Sequence, residues 1–427
     1  MITLLVILFL LLVIGMPIAY AIGLSAFLYF AIFNPMLIQI LPQRMFSGMN
    51  SYAMIALPLF ILMGQIMNAS TITKRLIDFC LIFVGKMKGG LLYVDVAASM
   101  IFGGISGSST SDVASLGSIL IPEQQRRGYP AHFAAGTTVA SSTMGMIIPP
   151  SVAMVIYAIA SQQSVGRLFL GGAIPGILIG VSQFVIVWIM AKHHHYPREE
   201  VDRSLAGIFG QFRDSLLILA MPVFIVGSVT FGIATATESA SMGVFYAMLL
   251  GFVIIRRLSL PDFYKCLKTA AITSAIIMMI VSFSQLYVWV LALERIPEKI
   301  AAGLIALGLG PTGTMLLVVL VVLIVGTVLD VTPGILLLTP VFLPAAATLG
   351  VSPIQFGVTL VAALAVGACT PPVGNCLNVC AAVTGMRIGT IFRGAVPWLI
   401  GNVVILVLIT LFPQLVLWLP DLIMGPQ

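Results

Sequence analysis

Apolar runs long enough to cross about 30 Å of hydrocarbon, roughly 20 residues each, lie near 2–33, 50–73, 131–160, 168–191, 214–233, 238–255, 270–293 and 395–419. They predict eight crossing segments. Two further apolar stretches, 90–122 and 312–349, are interrupted midway by Gly, Ser, Thr, Asp or Pro, so that each half is too short to span. Such stretches suit re-entrant helical hairpins, because irregular backbone survives at membrane depth only where protein or a wet cavity satisfies it. The run 2–33 is too long for a signal core and has no basic leader, so it reads as a first span.

An internal repeat organises these segments. At a shift of 222 residues, Gly104, Pro122, Gly128, Gly145, Pro149, Pro150, Gly172 and Pro175 fall on Gly326, Pro344, Gly350, Gly367, Pro371, Pro372, Gly394 and Pro397. Thr110 also meets Thr332, and Thr137 meets Thr359. Fifteen of the seventy-two positions from 104 to 175 coincide, against roughly six from this skewed composition alone. Charge then orients the copies. Lys86 and Lys88 precede the first hairpin and Arg126 and Arg127 follow it, whereas no Lys or Arg occurs from 300 to 386, and Arg387 and Arg393 sit at the other end of the second copy. By the positive-inside rule the first hairpin opens to the cytoplasm and the second to the outside, with the N-terminus inside and the C-terminus outside. Inverted repeats with broken helices are the architecture of secondary transporters. The reading divides the chain into N-terminal scaffold helices and a connecting arm (1–89), a first repeat (90–191), a cytoplasmic loop (192–213), further scaffold helices (214–311), a second repeat (312–420) and a tail (421–427).

Composition sharpens this picture. Of 427 residues, 60% are hydrophobic and 8% charged, about a third of the charge density of soluble domains. A soluble enzyme, a disordered chain and a disulfide scaffold are excluded. The net charge of +6 comes from scattered cations and reports topology rather than nucleic-acid binding. Cys80, Cys266, Cys369, Cys376 and Cys380 lie in apolar sequence and read as small packers; Cys376 and Cys380 have no ligand-spaced partners. His193, His194 and His195, followed by 196–200, read as a solvated loop rather than a metal site.

The residues left at depth carry the chemistry. The first tip, 103–112, offers carbonyls at the end of one half-helix and amides at the start of the next; carbonyls and hydroxyls suit Na⁺, amide ends suit an anion, and the hydroxyls of Ser108, Ser109 and Thr110 suit a polar substrate, the alternative being small-residue helix packing. Pro149 and Pro150 break the span 131–160 and free carbonyls around Gly145–Ile148, which either favour a cation or are re-satisfied by neighbours in an ordinary proline kink. The copy around Gly367 to Asn375 has the same break and faces the second tip, 326–334. Asp112 and Asp330 are ionisable groups in apolar surroundings and so functional candidates. Asp330, which has no acidic counterpart in the first copy, suits an additional Na⁺ or a substrate hydroxyl, or else caps a helix. Asn375 and Asn378 either offer amides to substrate or cap. Arg295 is either an interfacial cation beside Glu294 or a clamp for a carboxylate.

The order and spacing of Leu57-Pro58-Leu59-Phe60 with Gly64, the Ser-rich tip from Gly104 to Ser111, Ile148-Pro149-Pro150-Ser151, Asp330-Val331-Thr332-Pro333 and Thr370-Pro371-Pro372-Val373-Gly374-Asn375 with Asn378 carry a resemblance. Over essentially its whole length the chain resembles the large membrane subunit of the tripartite ATP-independent periplasmic (TRAP) transporters, in the ion transporter superfamily. The resemblance implies an all-α, elevator-type transporter with two hairpins and two broken helices. It implies Na⁺ as coupling ion, held in one site by Gly326, Gly367, Thr370 and Val373 and in another by Ser106, Ser109, Gly145, Ile148 and Pro150, and no other cofactor. It implies a small four-helix membrane subunit and a soluble periplasmic protein that delivers an acidic substrate across the bacterial inner membrane. In relatives that carry sialic acid, an arginine matching Arg295 and an aspartate matching Asp330 are thought to meet substrate, which tilts the expectation toward sialic acid ahead of a C4-dicarboxylate. The competing readings are a stand-alone sodium/dicarboxylate symporter, a channel, and an intramembrane hydrolase using Ser109 or Ser111 with Asp112, which has no His or Lys placed as a base.

Overall fold

The computed structural model describes residues 2–70, 72–193, 196 and 205–426. All regular structure among them is helical. The chain begins with α1 (Ile2–Val13), α2 (Ile18–Phe33), α3 (Leu41–Met49), α4 (Ala56–Ala69) and α5 (Ile72–Val84). A first set of five follows: α6 (Gly90–Ser106), α7 (Ser109–Arg126), α8 (Ala131–Ser141), α9 (Val152–Ser161) and α10 (Val165–His193). Next come α11 (Leu205–Thr230), α12 (Ala236–Met248), α13 (Leu260–Leu293) and α14 (Ile296–Ala306). A second set, α15 (Gly310–Gly326), α16 (Val331–Thr348), α17 (Pro353–Gly367), α18 (Asn375–Thr384) and α19 (Ile388–Leu411), precedes α20 (Gln414–Met424).

The shift of 222 residues maps α6–α10 onto α15–α19 helix for helix, and α7 onto α16 residue for residue. Contacts between the copies are reciprocal. α7 packs on α18 while its counterpart α16 packs on α9; α8 packs on α19 while its counterpart α17 packs on α10. That exchange of partners is what a two-fold relation between copies produces. Two central helices carry no charged residue in these stretches and are buried on every side: α8 from Ala134 to Ser141, and α17 from Ile354 to Gly367. Gly136 and Gly394 let α8 and α19 touch backbone to backbone, since a Cβ at Gly394 would collide with the His132 carbonyl. Beside this crossing the Gln183 amide donates to Asn402 Oδ1 (2.9 Å) and the Ala140 carbonyl (3.0 Å), and Asn402 donates to Thr143 Oγ1 (3.0 Å). A buried polar network stabilises such an interface only when its donors and acceptors meet. The outward faces carry large apolar side chains such as Phe9, Ile14, Met36, Phe231 and Ile233, the surface that a multi-pass membrane protein presents to lipid.

Three details depart from the hydropathy reading. The run 2–33 is two helices, parted at Gly15 (φ +86°) and Pro17, because proline disfavours the helical conformation in the residue before it. The run 395–419 is likewise parted at Phe412 and Pro413, and α20 continues through the expected start of the tail. The second hairpin is not made of two short halves: α16, at 18 residues, is by itself long and apolar enough to cross a membrane. It forms the second limb of the hairpin with α15 and packs against α9, α13, α14 and α17.

Candidate functional site

Each hairpin tip rests on a broken helix. α6 ends at Ser106, and Gly107 turns the chain with φ +62°, a left-handed conformation that costs glycine nothing. A Cβ there would stand 3.0 Å from the Val152 amide nitrogen and 3.2 Å from the Pro150 carbonyl oxygen. Gly103 and Gly145 face each other in the same way, and a Cβ on Gly104 would lie 3.0 Å from the Pro149 carbonyl. The break is a 3-10 turn over Ser142–Met146 followed by Pro149 and Pro150. Ser151 closes it, its hydroxyl donating to the Met146 carbonyl (2.5 Å) and accepting from the Met154 amide (3.3 Å). Among the described residues the carbonyls of Gly145, Ile148 and Pro150 receive no hydrogen bond. Prolines cannot donate one, and the chain turns away before another amide arrives. Beside them the Ser109 hydroxyl is wholly buried and has no partner.

The second tip repeats the arrangement with more of its oxygens engaged. Gly326 packs on Gly367, and the Thr327 carbonyl accepts the amides of Val373 (3.0 Å) and Gly374 (3.2 Å). Gly374 takes the left-handed turn (φ +52°) that starts α18. The Gly367 carbonyl accepts from the Thr370 amide (2.8 Å), the Thr370 hydroxyl donates to Val366 (2.9 Å), and the Val373 carbonyl accepts from the Asn378 side chain (3.1 Å). Among the described residues the carbonyls of Gly326 and Thr370 receive none.

Between the tips and the face formed by α4 and α13 lies a cavity of about 550 Å³. The first tip contributes Ser106, Gly107, Ser108, Thr110 and Ser111, and the second contributes Asp330, Val331 and Thr332. Gln65 and Asn68 of α4 and Thr273 of α13 face them. The cavity extends along α7 to Ala114 but reaches only the first residues of α16. Among the lining residues there is no Lys, Arg or His.

The expected site residues therefore separate into groups. Ser106, Ser108, Thr110 and Asp330 line the cavity, and Ser109, Gly145, Ile148 and Pro150 lie together beneath the first tip. Asp330 occupies the N-cap position of α16 without a side-chain capping bond and is exposed, so the capping alternative has no hydrogen bond to support it. Asn375 begins α18 and does not line the cavity; Asn378 is committed to the second break. Arg295 sits exposed in a left-handed turn (φ +50°) between α13 and α14, outside the cavity lining. Glu294 beside it accepts a hydrogen bond from Tyr29, which holds its carboxyl below the usual carboxylate range. Asp112 is wholly buried in the first turn of α7, off the cavity, near Asp95 of α6. Asp95 accepts from Thr138 (2.6 Å) and Gln124 (3.2 Å). All five cysteines are buried. His194 and His195 fall outside the described residues, and His193 meets the Ile189 carbonyl (2.9 Å). Asp95, Gln65, Asn68 and Thr273 were not singled out by sequence; the only signal for Gln65 and Asn68 is their i, i+3 spacing within an apolar run.

A duplicated helical membrane fold in which two hairpin tips meet two broken helices around a cavity lined in part by hydroxyls, amides and a carboxylate defines a secondary transporter rather than an enzyme. The chain belongs to the family described as "Tripartite ATP-independent periplasmic transporter, DctM component", whose profile matches residues 5–415. It is 38% identical over 94% of each chain to the C4-dicarboxylate TRAP transporter large permease protein DctM of Pseudomonas aeruginosa. It is 34% identical over 96% of each chain to the sialic acid TRAP transporter large permease protein SiaM of Vibrio cholerae. In fold it is similar to the Alcanivorax borkumensis YdaH transporter, with a TM-score of 0.61 at 14% identity, covering 89% of this chain and 88% of the other. The intramembrane hydrolase reading is thereby set aside.

Proposed function

We propose that the chain carries out sodium-coupled uptake of an acidic small molecule across the bacterial inner membrane. It works with a small four-helix membrane subunit and a periplasmic protein that delivers the substrate. The observation that carries this reading is the oxygen cluster under the first tip: three free carbonyls, Gly145, Ile148 and Pro150, beside the unpartnered hydroxyl of Ser109. Buried polar oxygens without partners are costly, and a hard cation satisfies them. Gly326 and Thr370 supply free carbonyls at the second tip, with Gly367, Val373 and Asp330 nearby. Bound Na⁺ fastens each tip to its break and lowers the cost of placing an anion among residues without cationic side chains. The two hairpins and two broken helices then move as one body against the remaining helices, an elevator.

A sugar acid such as sialic acid stands ahead of a C4-dicarboxylate as substrate, because Asp330 accepts hydroxyl donors and repels a second carboxylate. Arg295, outside the cavity, adds nothing to that preference. The test is uptake of labelled N-acetylneuraminate and succinate by the three components reconstituted in liposomes. Uptake is expected to follow an inward Na⁺ gradient; equal uptake with no gradient would overturn the proposal.

A further inference from the structure

The wall opposite the tips carries two side-chain amides with hydrogen-bonding capacity left over. Gln65 and Asn68 lie one turn apart on the same face of α4, an otherwise apolar helix, and both line the cavity. Among the described residues the Gln65 side chain makes no hydrogen bond, and Asn68 makes one, its Oδ1 accepting from Thr73 Oγ1 (3.3 Å). That bond leaves the Asn68 amide N–H groups free. The helix carrying them is held in place. The Gln65 carbonyl accepts from the Cys266 thiol of α13 (3.5 Å), and a Cβ on Gly64 would stand 3.3 Å from the Ser106 carbonyl of the first tip. An i, i+3 pair of amides thus faces Ser108, Thr110 and Asp330 across the cavity, with Thr273 of α13 beside it.

We propose that Gln65 and Asn68 are specificity-determining residues that bind the hydroxyl or amide end of the substrate, remote from its carboxylate. The inference rests on the transport reading above and deepens it. A side-chain amide offers a donor and an acceptor, matching hydroxyl and acetamido groups, which do the same. A second carboxylate would use the donors only, leave the amide oxygens unpaired, and lie in a cavity that already holds Asp330. Sites built to hydrogen-bond a polar group discriminate strongly against ligands that lack it. The cavity's size agrees, since about 550 Å³ far exceeds the needs of a four-carbon acid. The two amides face the tips from a helix outside the repeated hairpins and broken helices. Substrate therefore bridges two parts of the molecule in this conformation.

The experiment measures uptake of labelled N-acetylneuraminate, D-gluconate and succinate by the complete three-component transporter in liposomes. Wild type is compared with Gln65→Leu and Asn68→Leu, and with the conservative Gln65→Asn and Asn68→Gln. Where a leucine variant fails to insert, the corresponding serine variant replaces it, and thermal unfolding of each purified chain checks folding. The expected result is a rise of about tenfold in the half-saturating concentration of the sugar acids, with maximal rate, succinate affinity and half-saturating Na⁺ each within about twofold of wild type. The conservative variants recover most of the loss. Unchanged sugar-acid affinity in folded variants overturns the inference, as does an equal shift for every acid or a wild type that carries succinate alone. A wild type that carries none of the three with a Na⁺ gradient overturns the transport reading instead.

Discussion

At the scale of single residues the informative atoms are those without partners. Ser109 is wholly buried and among the described residues its hydroxyl has no hydrogen-bond partner, whereas neighbouring hydroxyls such as Ser142 and Thr143 return their protons to carbonyls of α8, at 2.7 and 2.8 Å. Removing the Ser109 hydroxyl therefore breaks no hydrogen bond. For Ser109→Ala we expect thermal stability without Na⁺ to stay within about 0.5 kcal/mol of wild type. The Na⁺ concentration needed for half-maximal stabilisation should rise about tenfold, the effect of losing one good ligand worth about 1.4 kcal/mol. Thermal unfolding across a Na⁺ titration, with choline as control, reads both. An unchanged Na⁺ midpoint would count against Ser109 as a ligand. Asp330 differs from its repeat counterpart Ser108 in charge but not in place: both stand immediately before the second limb of their hairpins.

At the scale of elements, glycine and proline decide where helices stop and how closely they approach. Pro149–Pro150 and Pro371–Pro372 break equivalent helices, and the glycines of each tip admit the backbone of the opposing break. The α8–α19 crossing depends on Gly136 and Gly394 in the same way, with no flexible side chain available to yield, because the obstacle to a Cβ is the His132 carbonyl. Gly394→Ala is expected to force these helices apart and to destabilise the protein by about 1–3 kcal/mol. The strain would spread to the Gln183–Asn402 pair that bridges α8, α10 and α19. The checking measurement is the unfolding midpoint in detergent. A midpoint equal to that of wild type would show the crossing to be looser than the backbone contact implies.

For the molecule as a whole, the cavity follows the flank of α7 but stops at the tip of the second hairpin. On the orientation that the charges flanking the first hairpin predict, the cavity is expected to face the cytoplasm in this conformation. A cysteine at Ala114, an exposed cavity position on α7, should then react with a membrane-impermeant maleimide in inside-out vesicles and not in right-side-out ones. The five native cysteines are all buried, so the background is expected to be low. Labelling from the periplasmic side alone would reverse the assigned topology.

The membrane class, the duplication, both hairpins, both breaks and the oxygen-rich tips are legible along the chain. These follow from local chemistry: a run's hydropathy, a proline's missing N–H and a glycine's missing Cβ act wherever the chain carries them. Where two such signals competed, as in 2–33 and 395–419, hydropathy alone missed the Pro17 and Pro413 breaks. Packing between helices distant in sequence settled which polar groups meet. It set Gln65 and Asn68 of α4 opposite Asp330, 262 residues further on from Asn68, placed Asp112 near Asp95 inside the first hairpin, and left Arg295 outside the cavity. The orientation of a side chain around a helix becomes functional only when another helix packs against that face, and no spacing along one chain records which helix that will be.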